Sequence, residues 1–148
     1  MRKAILVGVI VFLFGVSLES AAEGKDWELF FVTPPTNAYY DKDGMQRSPE
    51  GIVKVWYRVV NSQRERRNVV SKLSQASPDV NWDGYKESRY QVAINCEDKK
   101  ISNRYSVHYN ENMYALAVGK YEIRWEPIPP KSMMEELYKE VCPETEKK

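Results

Sequence analysis

Residues 89–97 read Arg89-Tyr90-Gln91-Val92-Ala93-Ile94-Asn95-Cys96-Glu97. In an extended chain Tyr90, Val92, Ile94 and Cys96 share one side and Arg89, Gln91, Asn95 and Glu97 the other, the period-two signature of a half-buried strand. The strand ends on a cysteine of its apolar side. The only other cysteine, Cys142, closes a segment of helical period. There Ser132-x-x-Glu135 has capping-box spacing, Met134, Leu137, Tyr138 and Val141 recur at i, i+3, i+4 and i+7, and Cys142 lies one turn beyond Tyr138. Two independent periodicities therefore aim both thiols at one interface, and a Cys96–Cys142 disulfide is expected. It would close a loop of about 47 residues, for which the chain-entropy model gives roughly 4 kcal/mol at the upper end.

Outward from this strand, other segments alternate in the same way. Ile52–Val60 sets Val53, Val55, Tyr57 and Val59 against Lys54, Trp56 and Arg58. Lys100–Tyr109 sets Ile101, Tyr105, Val107 and Tyr109 against Lys100, Ser102, Arg104, Ser106 and His108. Tyr121–Glu126 sets Tyr121, Ile123 and Trp125 against Glu122, Arg124 and Glu126. Trp27–Val32, Tyr39–Asp41 and Met113–Val118 read as further strands. Turn-sized connections at 97–100 and 110–112 favour antiparallel hairpins. Ser62-x-x-Glu65 opens a second helix to Ala76, with Val69, Leu73 and Ala76 as its apolar stripe; residues 77–87 read as a loop. The expected fold class is α+β: a single antiparallel sheet of about six strands, apolar on one face and polar on the other, with a C-terminal helix packed on the apolar face and tethered by the disulfide.

The N-terminus reads as an address. Arg2 and Lys3 precede an apolar run, Ala4–Leu18, and Ser20-Ala21-Ala22 supplies the small residues of a cleavage site, so cleavage after Ala22 is expected. At 15 residues the run is shorter than the about 20 a spanning helix needs; an uncleaved anchor is the alternative. The expected division is a signal peptide over 1–22, one domain over 23–143, and a frayed charged tail over 144–148. The product is expected to be exported, periplasmic or secreted, and to keep no stable membrane span. No cysteine precedes Cys96, so no lipidation site is read there. An oxidising destination strengthens the disulfide reading, because paired cysteines persist outside the cytoplasm.

Composition excludes several functions. The 148 residues hold 22 Lys and Arg against 21 Asp and Glu, so nothing in the net charge suggests nucleic acid. Two cysteines and a single histidine fall short of common zinc sites, and no cofactor is expected. Asp41-Lys42-Asp43-Gly44 resembles part of a calcium loop, but its glycine comes too early and a simple turn suffices. There is no G-x-S-x-G motif, phosphate loop or dinucleotide-binding glycine pattern. His108 is expected on the polar, solvated face, and no acid is expected in the core. The chain does not read as an enzyme.

Charge is unevenly spread. Residues 52–109 carry 11 Lys and Arg against 6 Asp and Glu, whereas the rest of the expected mature chain carries 9 against 14. Lys54, Trp56, Arg58, Arg89, Lys100 and Arg104 all fall on the polar face and form the candidate partner-binding surface, suited to an acidic protein loop or another subunit. A solvated face with scattered charges is the plainer reading.

Several pieces, taken in order, resemble the surface-adhesin protein E family of small exported bacterial proteins. They are Trp27, Tyr39-Tyr40-Asp41, Gly51-Ile52-Val53-Lys54-Val55-Trp56, Tyr90–Cys96, Trp125-Glu126-Pro127-Ile128-Pro129-Pro130, Ser132, Leu137, and Val141-Cys142-Pro143. The resemblance implies a six-stranded antiparallel sheet with a disulfide-tethered C-terminal helix. It also implies binding to host matrix and plasma proteins, with a homodimer as an allowed assembly; host matrix or envelope proteins are the expected partners here. An adhesion-type protein that engages protein ligands through its sheet surface or loops is the leading expectation. A periplasmic structural or assembly factor within an envelope complex is the alternative, and a hydrolase built around His108 a distant third.

Overall fold

The computed structural model describes residues 26–144. The expected signal peptide and residues 145–148 of the expected tail lie outside them. The elements in chain order are β1 (Trp27–Thr33), β2 (Thr36–Asp41), β3 (Gln46–Arg47), β4 (Ile52–Asn61), α1 (Gln63–Ala76), β5 (Tyr85–Asn95), β6 (Lys100–Asn110), β7 (Ala115–Lys120), β8 (Glu126–Pro127) and α2 (Met133–Val141). One antiparallel sheet runs β1-β2-β4-β5-β6-β7. Short β3 continues the pairing along β4 beyond β2, and short β8 does the same along β6 beyond β7. Each of the two long strands β4 and β6 is thus served on its outer side by two shorter pieces.

The alternation in β4 and β5 translates directly into packing. Val53 lies opposite Ile94, Val55 opposite Val92 and Tyr57 opposite Tyr90, all on the face that α2 covers. From the helix, Leu137, Tyr138, Val141 and Cys142 complete the core, and Ile128 joins it from the preceding loop. Burying each of these aliphatic side chains stabilises the fold by about 1.5–3 kcal/mol relative to exposure. Ser132 caps α2 as its spacing predicts, its Oγ accepting the Glu135 N–H at 3.2 Å. Cys96 and Cys142 form the expected disulfide, with their Cα atoms 5.6 Å apart.

Helix α1 also forms where expected, with Ser62 accepting the Glu65 N–H. It buries no residue completely. Val69, Val70 and Leu73 are half-buried, whereas Ala76, placed on the apolar stripe from sequence, is exposed.

Two expectations about β6 and its neighbour are corrected. Pairing with β5 shifts between Gln91 opposite Tyr105 and Val92 opposite Asn103, so Arg104 is an extra residue, a β-bulge. One extra residue exchanges the faces of everything beyond it. Ser106 and His108 therefore join Ser88 and Tyr90 on the core-side face, while Tyr105, Val107 and Tyr109 pass to the second face with Gln91, Arg89 and Glu87. His108 is buried rather than solvated, at 8% exposure. The second expectation is the strand Tyr121–Glu126; only Glu126 and Pro127 pair, and residues 121–125 are irregular. The Tyr121 N–H bonds the Arg104 carbonyl and the Arg124 N–H bonds the Ser102 hydroxyl. Five residues thus pass a shorter stretch of β6, and the ladder cannot stay in step. Tyr121, Ile123 and Trp125, read from sequence as a strand face, are exposed.

Candidate functional site

The six residues of the expected basic surface do not share one environment. Arg58 and Arg89 lie opposite each other on β4 and β5, and both guanidinium groups stack on Trp27, at 5.0 and 5.3 Å from its ring. Arg58 also lies over Tyr39 and Arg89 over Tyr109, each at 4.8 Å. Glu87 completes the group, accepting from Arg89 Nε at 2.8 Å and facing Arg58 at 3.8 Å. Cation–π contacts and the ion pair with Glu87 hold Arg89 inside the molecule and Arg58 half-buried beside it. Arg89 is 7% exposed. The expectation that no acid enters the core is corrected too, since Glu87 and Asp41 are both buried. Asp41 Oδ1 accepts the Gly44 N–H at 2.9 Å, so the Asp41–Gly44 segment is a side-chain-capped turn. A Cβ at Gly44 would approach Asp41 Oδ2 to 2.3 Å, which is why glycine stands there.

Lys54, opposite Ala93, and Lys100, opposite Asn95, remain exposed on the second face, with half-buried Trp56 opposite Gln91. Arg104 sits at the bulge, half-buried. The basic surface therefore divides into a stacked arginine pair, one member buried and one half-buried, and three separated cations.

A surface missed by sequence reasoning lies along β7 and the segment after it. Strand β7 is the last in the sheet order, so among the described residues its outer edge carries no neighbouring strand. Tyr114 is 71% exposed, Val118 68% and Ile123 64%, with Tyr121 and Trp125 exposed beside them. Lys120 and Arg124 are interspersed and also exposed. The signal was present as apolar alternation, but alternation alone does not say whether the apolar side has a partner.

His108 has polar company. Its Nδ1 lies 2.7 Å from Ser88 Oγ, which in turn lies 2.7 Å from the Tyr85 hydroxyl. Trp82 and Tyr90 meet the imidazole edge-on at 5.5 and 6.1 Å. Burial pushes the imidazole pKa below its ordinary value. A serine and a histidine in contact suggest nucleophile and base, but this serine is almost completely buried and its second neighbour is a tyrosine rather than an orienting acid. The arrangement satisfies buried polar groups.

At the other end of the sheet, Lys99 and the Lys131 N–H hold the Glu135 carboxyl below the usual carboxylate range. Arg47 donates to the Val141 carbonyl at the end of α2. Burial, then the bond to Glu28, pushes the Tyr40 hydroxyl up to about 12.

These features define an α+β scaffold whose last helix is locked to the sheet by a disulfide and whose exposed apolar surface is concentrated at one sheet edge. The chain belongs to the surface-adhesin protein E family, whose family model matches residues 27–143. No curated protein and no solved structure matches it. Membership and the disulfide fit an exported protein. Among the described residues, no helix is long and apolar enough to cross a membrane.

Proposed function

We propose that the protein is an exported, non-enzymatic binding domain that engages protein ligands through the β7 edge and the 121–125 segment, assisted by nearby cations. The observation that carries this reading is exposed Val118 on β7, with exposed Tyr114 just before the strand and exposed Ile123 just after it, at a sheet edge that no described strand covers. An open edge offers backbone hydrogen bonds to an incoming chain, and an exposed apolar strip marks an association surface. Family membership supports a surface-adhesin-like role. Export by cleavage after Ala22 is part of the same proposal. Lys54, Trp56 and Lys100 stay in it as a secondary contact surface; Arg58 and Arg89 act in it by shaping the face from within.

The test is solid-phase binding of the mature protein to a panel of matrix and plasma proteins. Wild type should bind at least one member of the panel. Val118→Glu with Ile123→Glu should weaken that binding at least tenfold, while Lys54→Glu with Lys100→Glu should have a smaller effect. Unchanged binding by the β7 pair would reject the edge as the site. The same edge also suits a fixed subunit of an envelope complex. Cell fractionation separates the readings, since an adhesin must reach the surface or medium and an assembly factor need not.

A further inference from the structure

A second surface, between helix α1 and the start of β5, has the features of a small-ligand site. Helix α1 presents Arg66, Arg67 and Val70 on one face, at i, i+1 and i+4 spacing, toward Trp82 in the following loop and Tyr85 at the start of β5. Between them is a cleft of about 350 Å³. Its far wall is fixed by bonds of its own: Trp82 Nε1 donates to the Ser77 carbonyl at 3.2 Å, and the Glu111 N–H donates to the Gly84 carbonyl at 2.9 Å. Gly84 holds this turn at φ +69°, where a residue with a Cβ would be strained.

The cleft holds two cations and two carboxylates, but they do not pair with one another. Among the described residues, neither Arg66 nor Arg67 has a carboxylate within ion-pair distance. Asp83 and Glu111 line the same cleft without reaching them. Among the described residues Arg66 Nε, like Arg58 Nε, is shut off from solvent and has no hydrogen-bond partner. A buried donor left unpaired is costly, and native folds rarely retain one without a purpose. A guanidinium whose Nε has no partner can, once turned toward the cleft, present Nε and one Nη side-on to a carboxylate, the geometry in which arginine binds best.

We infer that this cleft binds a monoanionic carboxylate carried beside an apolar or aromatic group, with Arg66 and Arg67 taking the carboxylate and Val70, Trp82 and Tyr85 supporting the apolar part. Asp83 and Glu111 on the far wall disfavour a ligand with a second negative charge. Two sources share this chemistry, the C-terminal residue of a peptide and a free aromatic acid. The inference uses other residues than the β7 edge and does not rest on that reading.

The test is titration of the isotope-labelled mature protein, followed by nuclear magnetic resonance. The probes are N-acetylphenylalanine, its primary amide, a serine–glycine pentapeptide ending in a free phenylalanine, and inorganic phosphate. N-acetylphenylalanine should shift the Trp82 indole N–H and the amides of 66–70; the amide and phosphate should bind at least tenfold more weakly. Pentapeptide binding as tight as that of N-acetylphenylalanine would identify a peptide terminus as the source, and weaker binding a free acid. Arg66→Gln should weaken binding at least tenfold. Arg66→Lys, which keeps the charge and loses the side-on fork, should weaken it at least threefold and serves if the glutamine variant does not fold. Equal binding of acid and amide, no shift at these residues up to about 20 mM probe, or unchanged affinity in the folded Arg66 variants would overturn the inference.

Discussion

The Tyr138 hydroxyl, on α2, donates to the carbonyl of Cys96 at the end of the central strand, 3.1 Å away. Cys96 is also the residue that the disulfide joins to Cys142, one helical turn beyond Tyr138. The last helix is therefore held to one point of the sheet by a covalent bond and a buried hydrogen bond, with Leu137 and Val141 packed around them.

These two ties should separate experimentally. Tyr138→Phe keeps the ring and the disulfide but leaves the buried Cys96 carbonyl without this donor, and should cost about 1–3 kcal/mol. Urea unfolding of oxidised wild type and variant measures the difference.

Removing the covalent tie should cost more. Cys96→Ala with Cys142→Ala is expected to lose about 2–4 kcal/mol, mainly because the unfolded chain regains freedom. Reductant should lower the unfolding midpoint of wild type toward that of the double variant and leave the variant unchanged.

The buried imidazole predicts a pH dependence with a definite sign. The folded pKa of His108 lies below its unfolded value, so the unfolded chain binds a proton first as pH falls. Stability should thus be full above about pH 6.5 and should decline as pH drops from there toward the folded pKa. Unfolding free energies measured across this range should show the decline in wild type and a weaker one in His108→Gln. Tyr85, Ser88, Trp82 and Tyr90, the groups around the ring, carry no charge in this range.

Among the described residues, Glu87 pairs with both Arg58 and Arg89. Glu87→Gln removes a buried carboxylate that faces both arginines and should destabilise by about 3 kcal/mol. Trp27→Ala should be milder, about 1–2 kcal/mol, since it removes stacking but leaves the ion pair. Thermal melts of both variants test the order.

Much of the scaffold could be read from residue order alone. The inward sides of β4 and β5, the cap and apolar stripe of α2, and the cysteine pair each follow from local periodicity. What escaped depends on contacts between distant segments. Nothing near Arg104 marks it as a bulge; the shift arises where β6 must pair with β5 on one side and the divided partners β7 and β8 on the other. That single residue decided whether His108 faced water or Trp82. In the candidate surface, Lys54 and Lys100 kept the exposure their pattern implied, whereas Arg58 and Arg89 were drawn inward by Trp27 and Glu87. Ile123 and Trp125 alternate like a buried strand yet belong to an open edge, because period two reports which side is apolar and not what lies against it.

The stapled helix outside the cytoplasm is tested most directly by intact-mass analysis of protein purified from its native host without reductant and alkylated before and after reduction. The expected result is a chain beginning at Glu23 that takes up no label until reduced and two labels afterwards. A native chain that takes up two labels without reduction would contradict the account.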